Sequence, residues 1–239
     1  MKIKGLLLAC LLCLAGCAVR PESPDWTEKT IQTKYLSFQV WEKDIVAGDS
    51  LRIYIEGEGN PSPWRPVAWE LAGRDPNRNV IYVSRPCQYV WCGECQNPAL
   101  WQEERFNEEI IDEMKSLITY LARKYQASSV ELVGYEGGAT VALLVAAKWP
   151  VARVMTVGGI LDPQGYAKSQ GLTLNGMQPI DLRGALAQIP QVHYVAEKDD
   201  LTPRATAEAF VNSLYRPKSA VVKIVPGATH RNWGNFTLE

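Results

Sequence analysis

Residues Val130 to Ala147 read VELVGYEGGATVALLVAA. An apolar run, Val130 to Val133, passes through a glycine-bracketed turn into an Ala-, Leu- and Val-rich run from Ala139, so a buried strand is followed at once by a buried helix. The handover can be this abrupt only if the apical residue takes a backbone conformation that most side chains avoid and its neighbours are small. Gly134, Gly137 and Gly138 supply the small neighbours, and Glu136 is the apex. The segment commits the chain to a sheet with a helix packed across it.

The rest of the chain alternates short apolar runs with helical patterns in the same way. Strands are expected at Tyr35 to Trp41, Leu51 to Ile55, Asn79 to Val83, Val151 to Val157, Val192 to Ala196 and Ala220 to Val225. Helices are expected at Val67 to Ala72 and Pro203 to Leu214. The longest runs from Ala99 to Tyr125, where Phe106, Ile110, Met114, Leu117 and Leu121 recur every three to four residues. Gly158 to Ile180 has no clear periodicity and reads as a cap or binding loop. Most strands are followed by something able to cross back over the sheet, which makes the sheet mostly parallel with helices on both faces.

The N-terminus is of another kind. Lys2 and Lys4 precede an apolar stretch, Gly5 to Leu14, too short to span a bilayer but suited to an export signal. Leu14-Ala15-Gly16-Cys17 then resembles a bacterial lipoprotein signal, cut before the cysteine that carries the lipid. Residues 1–16 are therefore read as signal peptide, residues 17–29 as a tether rich in Pro and charge, and residues 30–239 as one domain. Ala18 after the cysteine, rather than Asp, implies transfer to the outer membrane, with the domain facing the periplasm. The membrane is thus an expected partner through Cys17. A net charge of −1 without a Lys/Arg cluster argues against nucleic acid.

In such an oxidising compartment Cys87, Cys92 and Cys95 remain for the domain. A loop disulfide is expected, Cys87 to Cys95 or Cys87 to Cys92. Trp91-Cys92-Gly93-Glu94-Cys95 resembles the active-site motif of thioredoxins, with Glu94 where their Pro usually sits. The next helix pattern begins only near Pro98, however, so no helix dipole would activate Cys92. No His lies near these cysteines, and neither a metal nor an organic cofactor is expected.

In open parallel sheets, reactive residues gather beyond the carboxyl ends of the strands. Three such positions here carry suitable groups: Glu136, then Asp199 and Asp200, then His230. Elbow residue, acid and histidine follow in the chain order of an α/β hydrolase, and the region from about Tyr35 to Trp233 resembles that fold. Ile53-Tyr54-Ile55-Glu56-Gly57-Glu58-Gly59 with Trp64, Ser84-Arg85-Pro86-Cys87-Gln88-Tyr89, Trp101 with Arg105-Phe106, Leu161-Asp162, and Ile189 to Tyr194 before the double Asp narrow the likeness. Together they resemble a poorly characterised group of bacterial α/β-hydrolase lipoproteins whose elbow reads Gly-Tyr-Ser-Gly-Gly. This chain matches that elbow except at the Ser. It also has Pro163, Gly165 and Tyr166 where the group has His and Trp after the Asp.

The resemblance implies Asp199 as the acid, because Asp199-Asp200-Leu201-Thr202-Pro203 fits the hydrolase pattern, with Asp200 or Asp162 in reserve. It implies His230 as the base, with His193 a packed strand residue. The backbone N–H groups of Gly137 and of Glu58-Gly59 would form the oxyanion hole. Glu136 has no hydroxyl proton to give, so the expectation is a pseudo-hydrolase binding a small molecule or protein in the envelope. The alternatives are a hydrolase of esters, epoxides or haloalkanes using Glu136 with His230 and Asp199, and a thiol-disulfide protein using Cys92 and Cys95.

Overall fold

The computed structural model describes residues 25–57, 66–90, 95 and 97–239. Its frame is an eight-stranded sheet in the order β1-β2-β4-β3-β5-β6-β7-β8. The strands are β1 (Thr27–Gln32), β2 (Ser37–Lys43), β3 (Leu51–Ile55), β4 (Val80–Val83), β5 (Val130–Tyr135), β6 (Arg153–Val157), β7 (Gln191–Lys198) and β8 (Ala220–Thr229). From β4 to β8 across the sheet every pairing is parallel, whereas β1 and β2 add an antiparallel edge. The helices are α1 (Val67–Arg74), α2 (Glu108–Lys124), α3 (Gly137–Lys148), α4 (Pro163–Gln170), α5 (Arg183–Leu186) and α6 (Arg204–Ser213).

Strand alternation divides the core in two. Leu51, Ile53, Ile55, Leu132 and Val154 face one side, packed with Met114 and Leu117 of α2, Val141 and Leu144 of α3 and Phe210 of α6. Tyr54, Tyr82, Val133, Met155 and Tyr194 face the other, packed with Leu71 of α1 and with Trp233 and Leu238 of the C-terminal segment. Both faces of the central strands are covered, as a parallel sheet requires. From β3 the chain crosses by α1 to β4 on one side, then returns by α2 to β5 on the other. That reversal opens a crevice above the carboxyl ends of β3 and β5, where Glu56 and Glu136 stand.

Several expectations change. The domain begins before residue 30, because β1 starts at Thr27 and pairs Thr27 with Glu42. Its polar sequence hides it, since an edge strand with one open side needs few apolar residues and is kept soluble by charge. The long helix starts at Glu108 rather than Ala99: Asn107 is extended and its side chain accepts from Ile110 N, capping the helix. Phe106 is buried through a bridge to Gly176, so its helical spacing is incidental. Pro98–Trp101 forms only a 3-10 turn. Within Gly158 to Ile180 lies α4, opened by Asp162 and Pro163 and closed by left-handed Gly171 (φ 64°). Those caps were the readable signal in a segment with weak periodicity.

Cys87 is bonded to Cys95, eight residues on, so the Cys92–Cys95 pairing of the thioredoxin-like alternative is not the one formed. Cys92 itself, like Cys17, Glu58, Gly59 and residues 18–24 of the tether, lies outside the described residues.

The tightest constraint sits where β5 meets α3. A Cβ on Gly134 would run into Gly138 O and the backbone of Ala139. Gly134→Ala should therefore destabilise the fold by about 1–3 kcal/mol or more, with no rotamer able to relieve it. Urea unfolding checks this, and an unchanged midpoint would contradict it.

Candidate functional site

Glu136 joins β5 to α3 with φ 49° and ψ −117°, a conformation costing a side-chain-bearing residue on the order of 1–3 kcal/mol. Three backbone bonds hold it there: its N–H donates to Val157 O (3.2 Å), and its carbonyl accepts from Ala139 N (3.1 Å) and Ile160 N (3.0 Å). Gly138 lets α3 approach β3, since a Cβ there would strike the carbonyl oxygens of Ile55 and Glu56. The apex carboxylate thus stands at the N-terminus of a buried helix, whose dipole favours an anion.

His230 follows β8 and faces Glu136 across the crevice, its Nε2 3.6 Å from Glu136 Oε1. Its Nδ1 lies 3.0 Å from both carboxylate oxygens of Asp199, in the loop after β7. The loop carrying His230 is pinned because its carbonyl accepts from Tyr135 Oη (3.1 Å) and Trp233 Nε1 (2.9 Å). Gly158 (φ 50°) gives these groups room: a Cβ there would come within 3.4 Å of both Asp199 Oδ2 and His230 Nδ1.

Asp199 is held as firmly. Oδ1 accepts from Leu201 N (3.0 Å) and Thr202 N (2.8 Å), and Oδ2 accepts from the Thr202 hydroxyl (2.9 Å). Burial would raise its pKa, but the bonds from His230 and Thr202 outweigh that and hold it below the usual carboxylate range. Of the two reserve acids, Asp200 is exposed, and Asp162 caps α4 by accepting from Gly165 N (2.9 Å). Asp199 is therefore the acid that reaches the histidine. His193 lies fully buried in β7, its Nδ1 2.9 Å from Thr156 Oγ1, and burial pushes its pKa down to about 4.

For His230, burial alone would lower the pKa, but the hydrogen bond to Asp199 and the charges of Glu136 and Asp199 overcome it and raise the value to about 9. The imidazole is consequently protonated at neutral pH, between two carboxylates. Gly137, the oxyanion donor expected from sequence, is the first residue of α3, directly after the apex.

Two residues were missed by sequence reasoning. Glu56, directly after β3, is buried; its Oε1 accepts from Gly57 N (2.9 Å) and its Oε2 from Tyr82 Oη (3.0 Å). Desolvation above all, with the nearby Glu136 charge adding to it, raises its pKa to about 7. A Glu ending an otherwise apolar strand was the available sign. Thr202 is the other: its hydroxyl lies 3.3 Å from His230 Nδ1 while donating to Asp199.

A raised folded-state pKa stabilises below the unfolded value and loses that contribution as pH rises through the folded one. Glu56 is therefore expected to shed stability from about pH 4.5 to 7, and His230 from about pH 6.5 to 9. Two-dimensional NMR of the imidazole should find His230 titrating near 9, and lower in Glu136→Gln. A value at or below 6.5 in the parent protein would refute the ion-paired site.

No protein-family model and no curated protein matches the chain. Solved structures do. An α/β serine hydrolase homologue from Coxiella burnetii aligns over 85% of this chain and 88% of its own, with a TM-score of 0.61 and 17% identity. An esterase of Pyrococcus furiosus aligns over 87% and 83%, with a TM-score of 0.64 and 12% identity. A lidless α/β serine hydrolase from Xanthomonas campestris aligns over 89% of each chain, with a TM-score of 0.56 and 11% identity. At these identities the likeness concerns architecture, and this chain has the α/β-hydrolase fold.

Proposed function

We propose that this protein is a bacterial envelope lipoprotein, anchored through Cys17, that keeps the frame of a serine hydrolase but has given up acyl transfer and serves as a binding protein. One observation carries the loss of chemistry: the apex residue facing His230 is a carboxylate, 3.6 Å from Nε2. In serine hydrolysis the neutral histidine takes a proton from the apical hydroxyl so that oxygen can attack a carbonyl. Glu136 offers no proton, and its charge helps keep His230 protonated, so the base is occupied as well. Attack by the carboxylate on an ester would give only a labile anhydride. The lipoprotein part of the reading rests on Lys2, Lys4, the apolar run and Leu14 to Cys17.

Glu136→Ser tests the loss directly. Asp199, His230 and the elbow backbone do not depend on the apex side chain for their attachment, so the variant should gain esterase activity and fluorophosphonate labelling. The gain expected is roughly 100-fold or more over a parent near background, since general base and oxyanion donors each contribute about that much. Labelling of the parent at another serine would overturn the assignment of the apex. Opening of an epoxide or haloalkane by the parent, abolished in Glu136→Gln, would instead make the carboxylate a working nucleophile at an sp³ carbon.

The anchor has its own test. Mass spectrometry of protein extracted from membranes should find acyl chains on Cys17, and Cys17→Ala should leave the chain unprocessed. An unmodified mature N-terminus elsewhere would remove the anchor from this reading.

A further inference from the structure

The sheet ends in two edge strands, and they are built differently. β1 is polar at every position but Ile31 and carries Glu28 and Lys29, as an edge guarded against pairing should. β8 is the other edge. Its first six residues, Ala220 to Val225, carry one charge, Lys223, whose ammonium is held by Glu239 at 2.5 Å. The other guards come only after that stretch: Pro226, with no N–H to offer, and the register shift between Ala196 and Lys198. Val221 and Ile224 are 44% and 41% exposed, and Tyr215, directly after α6, is 70% exposed. These three stand within ten residues of one another on the approach to this edge and along it.

The backbone of β8 has a free side. Ser219 O accepts from Gln191 N (2.7 Å), and strand geometry alternates, so Ser219, Val221, Lys223 and Val225 direct their main-chain groups to β7. Ala220, Val222 and Ile224 therefore direct theirs away from the sheet, a row of three donors and three acceptors. This row complements itself. When a second copy runs antiparallel with Val222 opposite Val222, each Ala220 meets an Ile224, and every group of the row finds a partner. On the α6 face the exposed Ile224 then lies against the small Ala220. On the other face the exposed Val221 lies against the stem of Lys223, whose ammonium Glu239 holds.

Charge permits the same arrangement. Exposed Arg216 and Lys218 precede the strand, and the antiparallel order keeps the two copies' cations at opposite ends of the pair. Each set meets the other copy's strand end, which is close to neutral: exposed Glu197 and Asp200 stand there with Lys198 and Arg231, and Arg204 is paired with Glu208.

We infer that β8 is a docking edge for a second copy of this chain, joined strand to strand about a two-fold axis at Val222 so that one sheet runs through both copies. A two-fold contact of this kind closes on itself and leaves β1 as the outer edge on either side. The inference depends neither on the chemistry of Glu136 nor on the anchor at Cys17. A six-residue strand with its flanking side chains reaches only the low end of specific interfaces, about 1,200 Å² in total, so the pair should dissociate in the micromolar range.

Sedimentation equilibrium of the full chain in density-matched detergent tests this. A monomer–dimer equilibrium is expected, weakened roughly tenfold or more by Val222→Pro, which removes the central outward donor, and by Ile224→Glu, which sets a charge against Ala220. Circular dichroism verifies each variant's fold, and either variant alone decides the matter should the other misfold. Oxidation of Val222→Cys should give a disulfide-linked dimer, because opposed residues of such a pair have Cα atoms about 5.5 Å apart. Ala220→Cys, with the same remaining cysteines, should not, since its two copies would be displaced by about 14 Å along the strands, beyond disulfide reach. A monomer throughout the micromolar range, a dimer equally tight in both variants, or cross-linking of Ala220→Cys as readily as Val222→Cys would overturn the inference. Cross-linking of Val222→Cys to a different protein, with the parent monomeric, would overturn it as well and make the edge a site for a foreign strand.

Discussion

Everything at the site depends on how closely the start of α3 approaches the ends of β5 and β3. Gly134 permits the first approach and Gly138 the second, and the positive φ of Glu136 accompanies them. With the apex fixed, its carbonyl accepts from Ala139 N and from Ile160 N beyond β6, so the elbow also positions the loop after the neighbouring strand. Gly158, in that loop, leaves room for Asp199 and His230 to meet. A strained residue is thus tied into three adjacent strand ends, and the strain persists because those ties over-determine it.

The same geometry sets the electrostatics. In a serine site the histidine alternates between neutral and protonated, and the acid behind it steadies the second state. Here an acid stands on each side, so the protonated state becomes the resting state and His230 is held charged to about pH 9. Glu56 responds in the opposite sense. Buried beside Glu136 and accepting from neutral donors, the backbone of Gly57 and Ala68 and the Tyr82 hydroxyl, it binds its proton up to about pH 7. Carboxyl groups within one crevice therefore have different charge states, separated by whether a cation or neutral donors face them.

How far this was legible follows from where the determining forces act. Leu51 to Ile55 was read with its final bounds, because Leu51, Ile53 and Ile55 recur at the two-residue period of a strand. Glu136, Asp199 and His230 were legible because strand-end position and chain order are written locally. β1 was not, since an edge strand is stabilised by pairing with β2 rather than by its own apolar pattern. The choice of Cys95 over Cys92 as partner of Cys87 depends on loop geometry that spacing does not encode. Glu56 stood in plain view in the motif, yet its burial comes from Tyr82 and α1, contributed by other segments.

A buried ion network is weak evidence for stability, because desolvation of its members can exceed their mutual attraction. The Asp199–His230–Glu136 array is therefore not explained as a device for holding the fold together, which the two hydrophobic layers already do. Its geometry comes from the frame: the ends of β5, β7 and β8 bring the three groups together. What the apex decides is the proton inventory. A hydroxyl would make the array a path along which a proton can move, whereas a carboxylate gives the proton a resting place on His230 with an anion on either side. On the proposed reading, a carboxylate at this one position makes a fixed charge distribution of what a hydroxyl would make a relay.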